Sequence, residues 1–233
     1  MVYAGTLELV GYREWTESLG PDREWYIQLV QARLYQVVQS FVKDFNGMAL
    51  PLRYDIQLFY LPSDIDVKDF VYQLKQYLKP YSPTPTRVTV CCGNPVEVLR
   101  RCKELQCSED YYEEVCRDDS EIVVAHADLN YFTLRTRDQG AYQSFVVVLN
   151  LVSTIASELS DKAVVQYLGG DNLVAITSEE YLEDVLGSLT SKDSIKVGVG
   201  ISRYPRRAFE AAAKALGILR SEGRIRQYHV IRA

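Results

Sequence analysis

One order of secondary structure occurs twice along this chain, and that repetition limits the fold more than any other feature. Residues 4 to 12 alternate as a strand, and Glu24 to Phe45 carries Ile27, Val30, Leu34 and Val38 on one helical face. Met48 to Leu61 reads as two short strands turned near Arg53-Tyr54-Asp55, Val67 to Leu78 returns to helical spacing, and Thr86 to Cys92 is a β-branched strand. Asn94-Pro95 opens another helix, because asparagine caps and proline suits the first turn. The second half repeats the order: strand Glu121 to Asp128, helix Gly140 to Leu159, hairpin Ala163 to Thr177, helix Glu179 to Leu189, strand Ile195 to Ile201, helix Arg206 to Arg220, and a closing strand Arg226 to Ile231. Spacing supports a duplication, since Asp55 and Asp171 differ by 171 − 55 = 116 and Val10 and Asp128 by 128 − 10 = 118.

Each βαββαβ unit implies an antiparallel sheet with helices packed on one face, an α+β fold of the ferredoxin-like or palm kind. The acidic, turn-rich stretch Glu104 to Glu121 reads as a helix tail followed by a solvated linker, which sets a boundary near residue 118 between a first repeat (1–118) and a second (119–233). With 233 residues, 47% hydrophobic and 24% charged, the chain has enough apolar material for one large or two small cores and is neither a disordered tail nor a collagen-like rod. Its net charge of −5 exerts no global pull on nucleic acid, so an anionic ligand must meet a local basic patch. No apolar run approaches the roughly 18 residues that cross a bilayer, and the start MVYAGTLELVGYREWTE lacks the basic and apolar regions of a signal peptide. A cytoplasmic protein without a membrane or nucleic-acid partner is expected. Cys91, Cys92, Cys102, Cys107 and Cys116 never fall in CxxC spacing, and with two histidines in the chain they argue against a zinc site. They are reduced or buried thiols, or they form a cystine within the stretch, which inside a cell suits only a hyperthermophile.

The hairpin tip Tyr167-Leu168-Gly169-Gly170-Asp171-Asn172-Leu173 is flanked by apolar strands, and its two glycines allow a tight turn and close backbone approach to a ligand. Taken alone it is also an ordinary turn capped by aspartate. A second acid, Asp128 in His126-Ala127-Asp128-Leu129-Asn130-Tyr131, stands where an apolar run meets a polar one, and this topology lays its strand beside the hairpin. Two carboxylates at one sheet edge suit Mg²⁺, which keeps its waters and bridges to substrate phosphates. The backbone N–H groups after Asp128 lead into a helix and could cradle those phosphates. Countercharge comes from the last quarter, where between residues 203 and 232 Arg203, Arg206, Arg207, Lys214, Arg220, Arg224, Arg226 and Arg232 face only Glu210 and Glu222. Arg207, Arg224 and Arg232 read as a solvated face, whereas Arg203, just after a strand, and Lys214 or Arg220 on the following helix are candidate triphosphate contacts. His126 shares a strand face with Asp128 and is either beside the site or a core histidine.

The run AHADLNYF, then YLGGDNLVAIT, then KVGVGISR resembles the archaeal GTP cyclohydrolase III family, itself similar to the palm domains of diguanylate and class III adenylyl cyclases. GYREWT, Gln28-Leu29-Val30-Gln31-Ala32-Arg33-Leu34-Tyr35 and Arg53-Tyr54-Asp55 look like that family's amino-terminal repeat, so the resemblance covers nearly the whole chain. It implies a Mg²⁺-dependent enzyme that opens the imidazole ring of GTP by attack of water at C8, keeps the formyl group and releases pyrophosphate. The implied product is the formylamino pyrimidine ribonucleotide monophosphate that feeds archaeal flavin and deazaflavin synthesis. By that likeness Asp128 and Asp171 are the catalytic pair and hold metal, Gly169, Gly170 and the backbone of Leu129, Asn130 and Tyr131 meet phosphate, and Asn130 and Asn172 touch base or sugar. A homo-oligomer is expected.

The first half departs from the family's pattern. Where that pattern has an acid at the end of the first strand followed by Asn-Tyr, this chain has Val10-Gly11-Tyr12, and Arg53-Tyr54-Asp55-Ile56 stands where the hairpin carries Arg-Phe-Asp-Asn. One carboxylate cannot replace a pair, so a single metal-dependent site on the second repeat is expected. A cyclase-type reaction on the same site, or a nonenzymatic nucleotide sensor, stays open because the metal apparatus is shared.

Overall fold

Residues 2–104, 109–116, 120–192, 195–222 and 226–233 are described by the computed structural model, in which the chain divides into two units, Met1–Gly93 with Glu97–Asp119, and Asn94–Val96 with Ser120–Ala233. The expected boundary near residue 118, Cys107 and Arg224 lie outside the described residues.

The first unit runs β1 (Val2–Leu9), α1 (Tyr12–Ser18), α2 (Glu24–Val42), β2 (Met48–Pro51), β3 (Ile56–Leu61), α3 (Val67–Leu78), β4 (Thr86–Gly93), α4 (Glu97–Glu104) and β5 (Tyr111–Tyr112). Its strands are ordered β2-β3-β1-β4-β5, antiparallel except for the β4–β5 pair. Alternation puts Tyr3, Leu7 and Leu9 of β1 on one face with Phe59 and Leu61 of β3 and Val88 and Val90 of β4, where they form a core with Leu34 and Val38 of α2 and Phe70 and Leu74 of α3. Helix α3 starts where Asp66 accepts the Asp69 N–H at 3.0 Å, a side-chain cap on an otherwise unpaired donor. Of the two readings left open for the thiols, cystines are present: Cys91–Cys102 ties α4 to β4, and Cys92–Cys116 ties the segment after β5 to the same strand. Closing loops with sequence separations of 11 and 24, each restricts the unfolded chain by about 3 kcal/mol.

The second unit runs β6 (Ile122–Leu129), α5 (Phe132–Gln139), α6 (Ala141–Glu158), β7 (Val164–Gly169), β8 (Asn172–Ser178), α7 (Leu182–Thr190), β9 (Ile195–Ser202), α8 (Pro205–Ser221) and β10 (Tyr228–Arg232). The order is β10-β9-β6-β8-β7, with β10 parallel to β9 and the other pairs antiparallel. Both units thus have the ferredoxin-like strand order, each extended by one strand at the same edge. Helices α1 and α5 were absent from the sequence reading because they bury no side chain, which leaves no apolar stripe to detect. Among the described residues no helix is long and apolar enough to cross a membrane.

Val123, Ala125 and Ala127 of β6, with Val197 and Val199 of β9, face Ile155 of α6, Leu159 at its C-terminal cap, and Val185 and Leu189 of α7. The expectation that helices keep to one face holds for α6 and α7 and fails for α8, which lies on the other. A Cβ built at Gly198 would sit 2.1 Å from the Ala212 carbonyl oxygen, and one at Gly200 would sit 1.9 Å from that of Ala208. Helix backbone therefore rests directly on strand backbone, a contact that only glycine permits. The pairing of Gly200 with Ala208 and of Gly198 with Ala212 and Leu216 shows that α8 runs back along β9. Its last turn, with Arg220, consequently ends where β9 begins and β6 finishes.

Gly200→Ala should cost at least roughly 1–3 kcal/mol through overpacking. Gly187→Ala, inside α7 where an added Cβ meets nothing within 4 Å, should instead gain about 0.5–1 kcal/mol of helix propensity. Thermal melts of the two variants check this, and a harmless Gly200→Ala would contradict the backbone contact.

Candidate active site

Two hydrogen bonds of one kind organise the strand ends. In the second unit the Leu129 N–H, at the end of β6, donates to the Asp171 carbonyl at 3.2 Å; in the first, the Leu9 N–H at the end of β1 donates to the Asp55 carbonyl at 3.0 Å. The turn carrying Asp171 is made by Gly169 (φ 107°) and Gly170 (φ 59°), with open space where either Cβ would lie, so conformation and not packing calls for glycine there. The Tyr167 hydroxyl donates to the Gly170 carbonyl at 3.1 Å and steadies the turn.

Asp128 pairs in register with Asn172 of β8 and Lys196 of β9, which puts the three residues on one face of the sheet. Asp128 is only 5% exposed. Its Oδ2 accepts from Arg220 Nε at 3.2 Å and lies 3.1 Å from Arg220 Nη2. Asn172 Nδ2 donates to Asp171 Oδ1 at 2.8 Å, and Asn172 Oδ1 lies 3.0 Å from His126 Nε2. An amide oxygen only accepts, so that ring nitrogen carries the proton. Burial, and after it the charge of Asp128, raises the Asp171 carboxyl above the usual carboxylate value. Burial holds His126 below the usual imidazole value, although its bond to Asn172 and the charge of Asp128 pull the other way. The charge of Arg220 pulls the Asp171 carboxyl down by less than burial and Asp128 push it up.

Beyond Leu129 the chain turns through Tyr131 at φ 59°, in the left-handed region, and α5 begins without a side-chain cap. The first N–H groups of α5 are thereby left for another acceptor. Asn130 Oδ1 is buried without a protein partner. Among the described residues no three His, Cys, Asp or Glu side chains gather at one point. A cation here would have two carboxylates and would need an amide oxygen, water or a ligand to complete its shell. Such hard oxygen donors fit Mg²⁺ better than zinc.

Asp128, Leu129, Asn130, Tyr131, Gly169, Gly170, Asp171 and Asn172 thus come to one sheet edge, with Arg220 joining from α8. Two expected contacts do not. Ser202 pairs with Ile122 while Lys196 pairs with Asp128, so Arg203 stands roughly 20 Å away at about 3.3 Å per residue. Lys214 lies about 9 Å before Arg220 along the helix axis and pairs with Glu210 at 2.7 Å on an exposed face. Antiparallel pairing explains both corrections, because β9 begins beside Asp128 and ends far from it. The cation this brings near Asp128 is Lys196, legible in the sequence only from strand direction, not from charge density.

The same hydrogen bond also corrects the alignment of the repeats. Leu9 corresponds to Leu129, so Glu8 stands in the place of Asp128 and Val10 in that of Asn130. The first unit therefore keeps a pair of carboxylates, Glu8 and Asp55. Each has its own arginine: Glu8 bonds Arg87, its register partner on β4, and Asp55 accepts from Arg53 Nη2 at 2.9 Å. Both carboxylates of this pair are therefore already matched by a guanidinium.

Two palm-like units, each with a carboxylate pair beside an uncapped helix start and the second also with the buried Asn130 amide oxygen, define the class of protein. Over residues 5–232 the chain matches the family described as GTP cyclohydrolase III. It is 34% identical to the GTP cyclohydrolase III of Aeropyrum pernix, over 95% of this chain and 93% of that protein, and 32% identical to that of Sulfurisphaera tokodaii, over 92% of each. Among solved structures, the GGDEF domain of the PA2567 protein from Pseudomonas aeruginosa is similar with a TM-score of 0.40 and 18% identity, over 48% of this chain and 84% of that one. The chain belongs to the GTP cyclohydrolase III family and is an enzyme of that type.

Because the folded Asp171 carboxyl is raised, the stability it contributes is present below the ordinary carboxylate range and is lost as pH rises through the raised value. Metal-free Asp171→Asn should therefore melt above the parent at pH 7 and together with it near pH 3. Turnover should fall by roughly two orders of magnitude or more in the same variant, and only slightly in Asp55→Asn. Calorimetry at both pH values with a turnover assay checks this, and near-normal turnover of Asp171→Asn would remove it from the site.

Proposed function

We propose that this chain opens the imidazole ring of GTP in a Mg²⁺-dependent hydrolysis and releases the β- and γ-phosphates. Water adds at C8, the C8–N9 bond breaks with a proton passing to N9, and the formyl carbon stays on N7. Further water cleaves the polyphosphate. The product is a formylamino pyrimidine ribonucleotide monophosphate, a precursor for flavin and deazaflavin synthesis. The observation that carries this reading is the joining of Asp128 and Asp171 at one edge by the Leu129–Asp171 hydrogen bond, beside the uncapped start of α5. The family relationship over residues 5–232 supports GTP as the substrate.

Asp128 and Asp171 would hold Mg²⁺. When bound, the ion neutralises polyphosphate charge and polarises the α,β linkage. The first N–H groups of α5 and of the Gly169-Gly170 turn would donate to phosphate oxygens, and Arg220 would pair with them. Asn130 and Asn172 supply amide groups for base or sugar. His126 donates to Asn172 Oδ1 and so keeps the amide nitrogen aimed at Asp171.

Incubation of the purified chain with GTP and Mg²⁺, followed by absorbance, chromatography and phosphorus NMR, tests the reading. Loss of the purine spectrum with appearance of a formylated pyrimidine monophosphate is expected, and chelation should stop it. A cyclic nucleotide with its purine intact would instead identify a cyclase, and unchanged GTP a sensor.

A further inference from the structure

We infer that Arg220 is a resident counter-cation of the carboxylate pair, which keeps free divalent metal out until a polyphosphate draws the guanidinium away. The inference rests on the proposed function insofar as Asp128 and Asp171 hold metal. Asp128 is nine-tenths buried, and a buried carboxylate without a cation is strongly disfavoured. Two nitrogens of Arg220 meet the same Oδ2, at 3.1 and 3.2 Å, and fill that need.

The two partners differ in how they are held. The Asp128 side chain is 7% exposed and comes from mid-sheet, whereas that of Arg220 is 53% exposed and comes from the last turn of α8. The guanidinium can leave without breaking a packed core. A lone Mg²⁺ must push it into water or approach a cation closely, and both oppose binding. A polyphosphate changes this, because it offers the fork of Arg220 a bidentate acceptor just as the metal takes Asp128. Metal and nucleotide are then positively coupled through one side chain, and by reciprocity each tightens the other equally. The first unit is the contrasting arrangement. There, among the described residues, Glu8 is held by an arginine on the adjoining strand and Asp55 by one in its own turn, rather than by an arginine from a helix end.

Mn²⁺ serves as the probe, titrated into the full chain by electron paramagnetic resonance or calorimetry with and without a nonhydrolysable GTP analogue. Without the analogue, Arg220→Gln should bind Mn²⁺ about tenfold more tightly than the parent, within the usual range of such couplings. The tightening that the analogue produces should shrink by a similar factor. Arg220→Lys, which keeps the charge, should stay closer to the parent, and circular dichroism verifies each fold. An Arg220→Gln variant that binds Mn²⁺ no more tightly than the parent overturns the inference. Asp128→Asn separates the two claims. If it loses Mn²⁺ while Arg220→Gln gains nothing, the counter-cation role fails alone; if it binds Mn²⁺ as the parent does, the metal assignment and the counter-cation role fail together.

Discussion

The hydrogen bond from the Leu129 amide to the Asp171 carbonyl ties the end of one strand to the turn of another, and two carboxylates come with it. Asp128 is nearly buried, and Asp171 is pushed towards its neutral form by burial and by that neighbour. Folding alone would not favour such a pair. The remainder of the edge acts on that imbalance: Arg220 covers one carboxylate, Asn172 donates to the other, and His126 holds Asn172 in orientation. Strain is present as well, since Tyr131 occupies the left-handed region where the first unit places Gly11. An edge that gathers two carboxylates and a left-handed turn would suit a cation and an anionic ligand together.

Duplication supplies an internal comparison. Both units use the same strand order and the same amide-to-carbonyl bond at the hairpin. They part at the side chains, where Arg87 and Arg53 neutralise Glu8 and Asp55 one for one. The two copies therefore differ not by a missing acid but by their partners, since in the first unit each carboxylate has a guanidinium of its own. In the second unit α8 is seated on Gly198 and Gly200, and this helix delivers Arg220 to the strand end. Glycines in β9 thus serve the site at a distance, by letting the helix lie close enough for its last turn to reach Asp128.

Most of the architecture was legible in the sequence because it is written in apolar periodicity. The range Val67–Leu78 could be read directly, since Phe70, Leu74 and Leu78 recur on one buried face. Asp128 and Asp171 were legible because each interrupts an apolar run. Strand direction was harder to use. Arg203 looked adjacent to the site because it follows a strand, yet in an antiparallel sheet that strand starts at Asp128 and leads away. Spacing between repeats misaligned Val10 with Asp128, as turn lengths differ between the copies and only the Leu9 and Leu129 hydrogen bonds establish correspondence. The arginine partners in the first unit were partly hidden, because Arg87 is far from Glu8 in sequence and meets it only through the β1–β4 register.

The central claim is that one of two duplicated carboxylate pairs takes metal and the other is closed by arginine. Anomalous diffraction from crystals grown with Mn²⁺ and a nonhydrolysable GTP analogue tests it most directly. The account predicts anomalous density between Asp128 and Asp171, next to the phosphates, and none at Glu8 and Asp55. Density at Glu8 and Asp55, or bound nucleotide with no metal at Asp128 and Asp171, would contradict it.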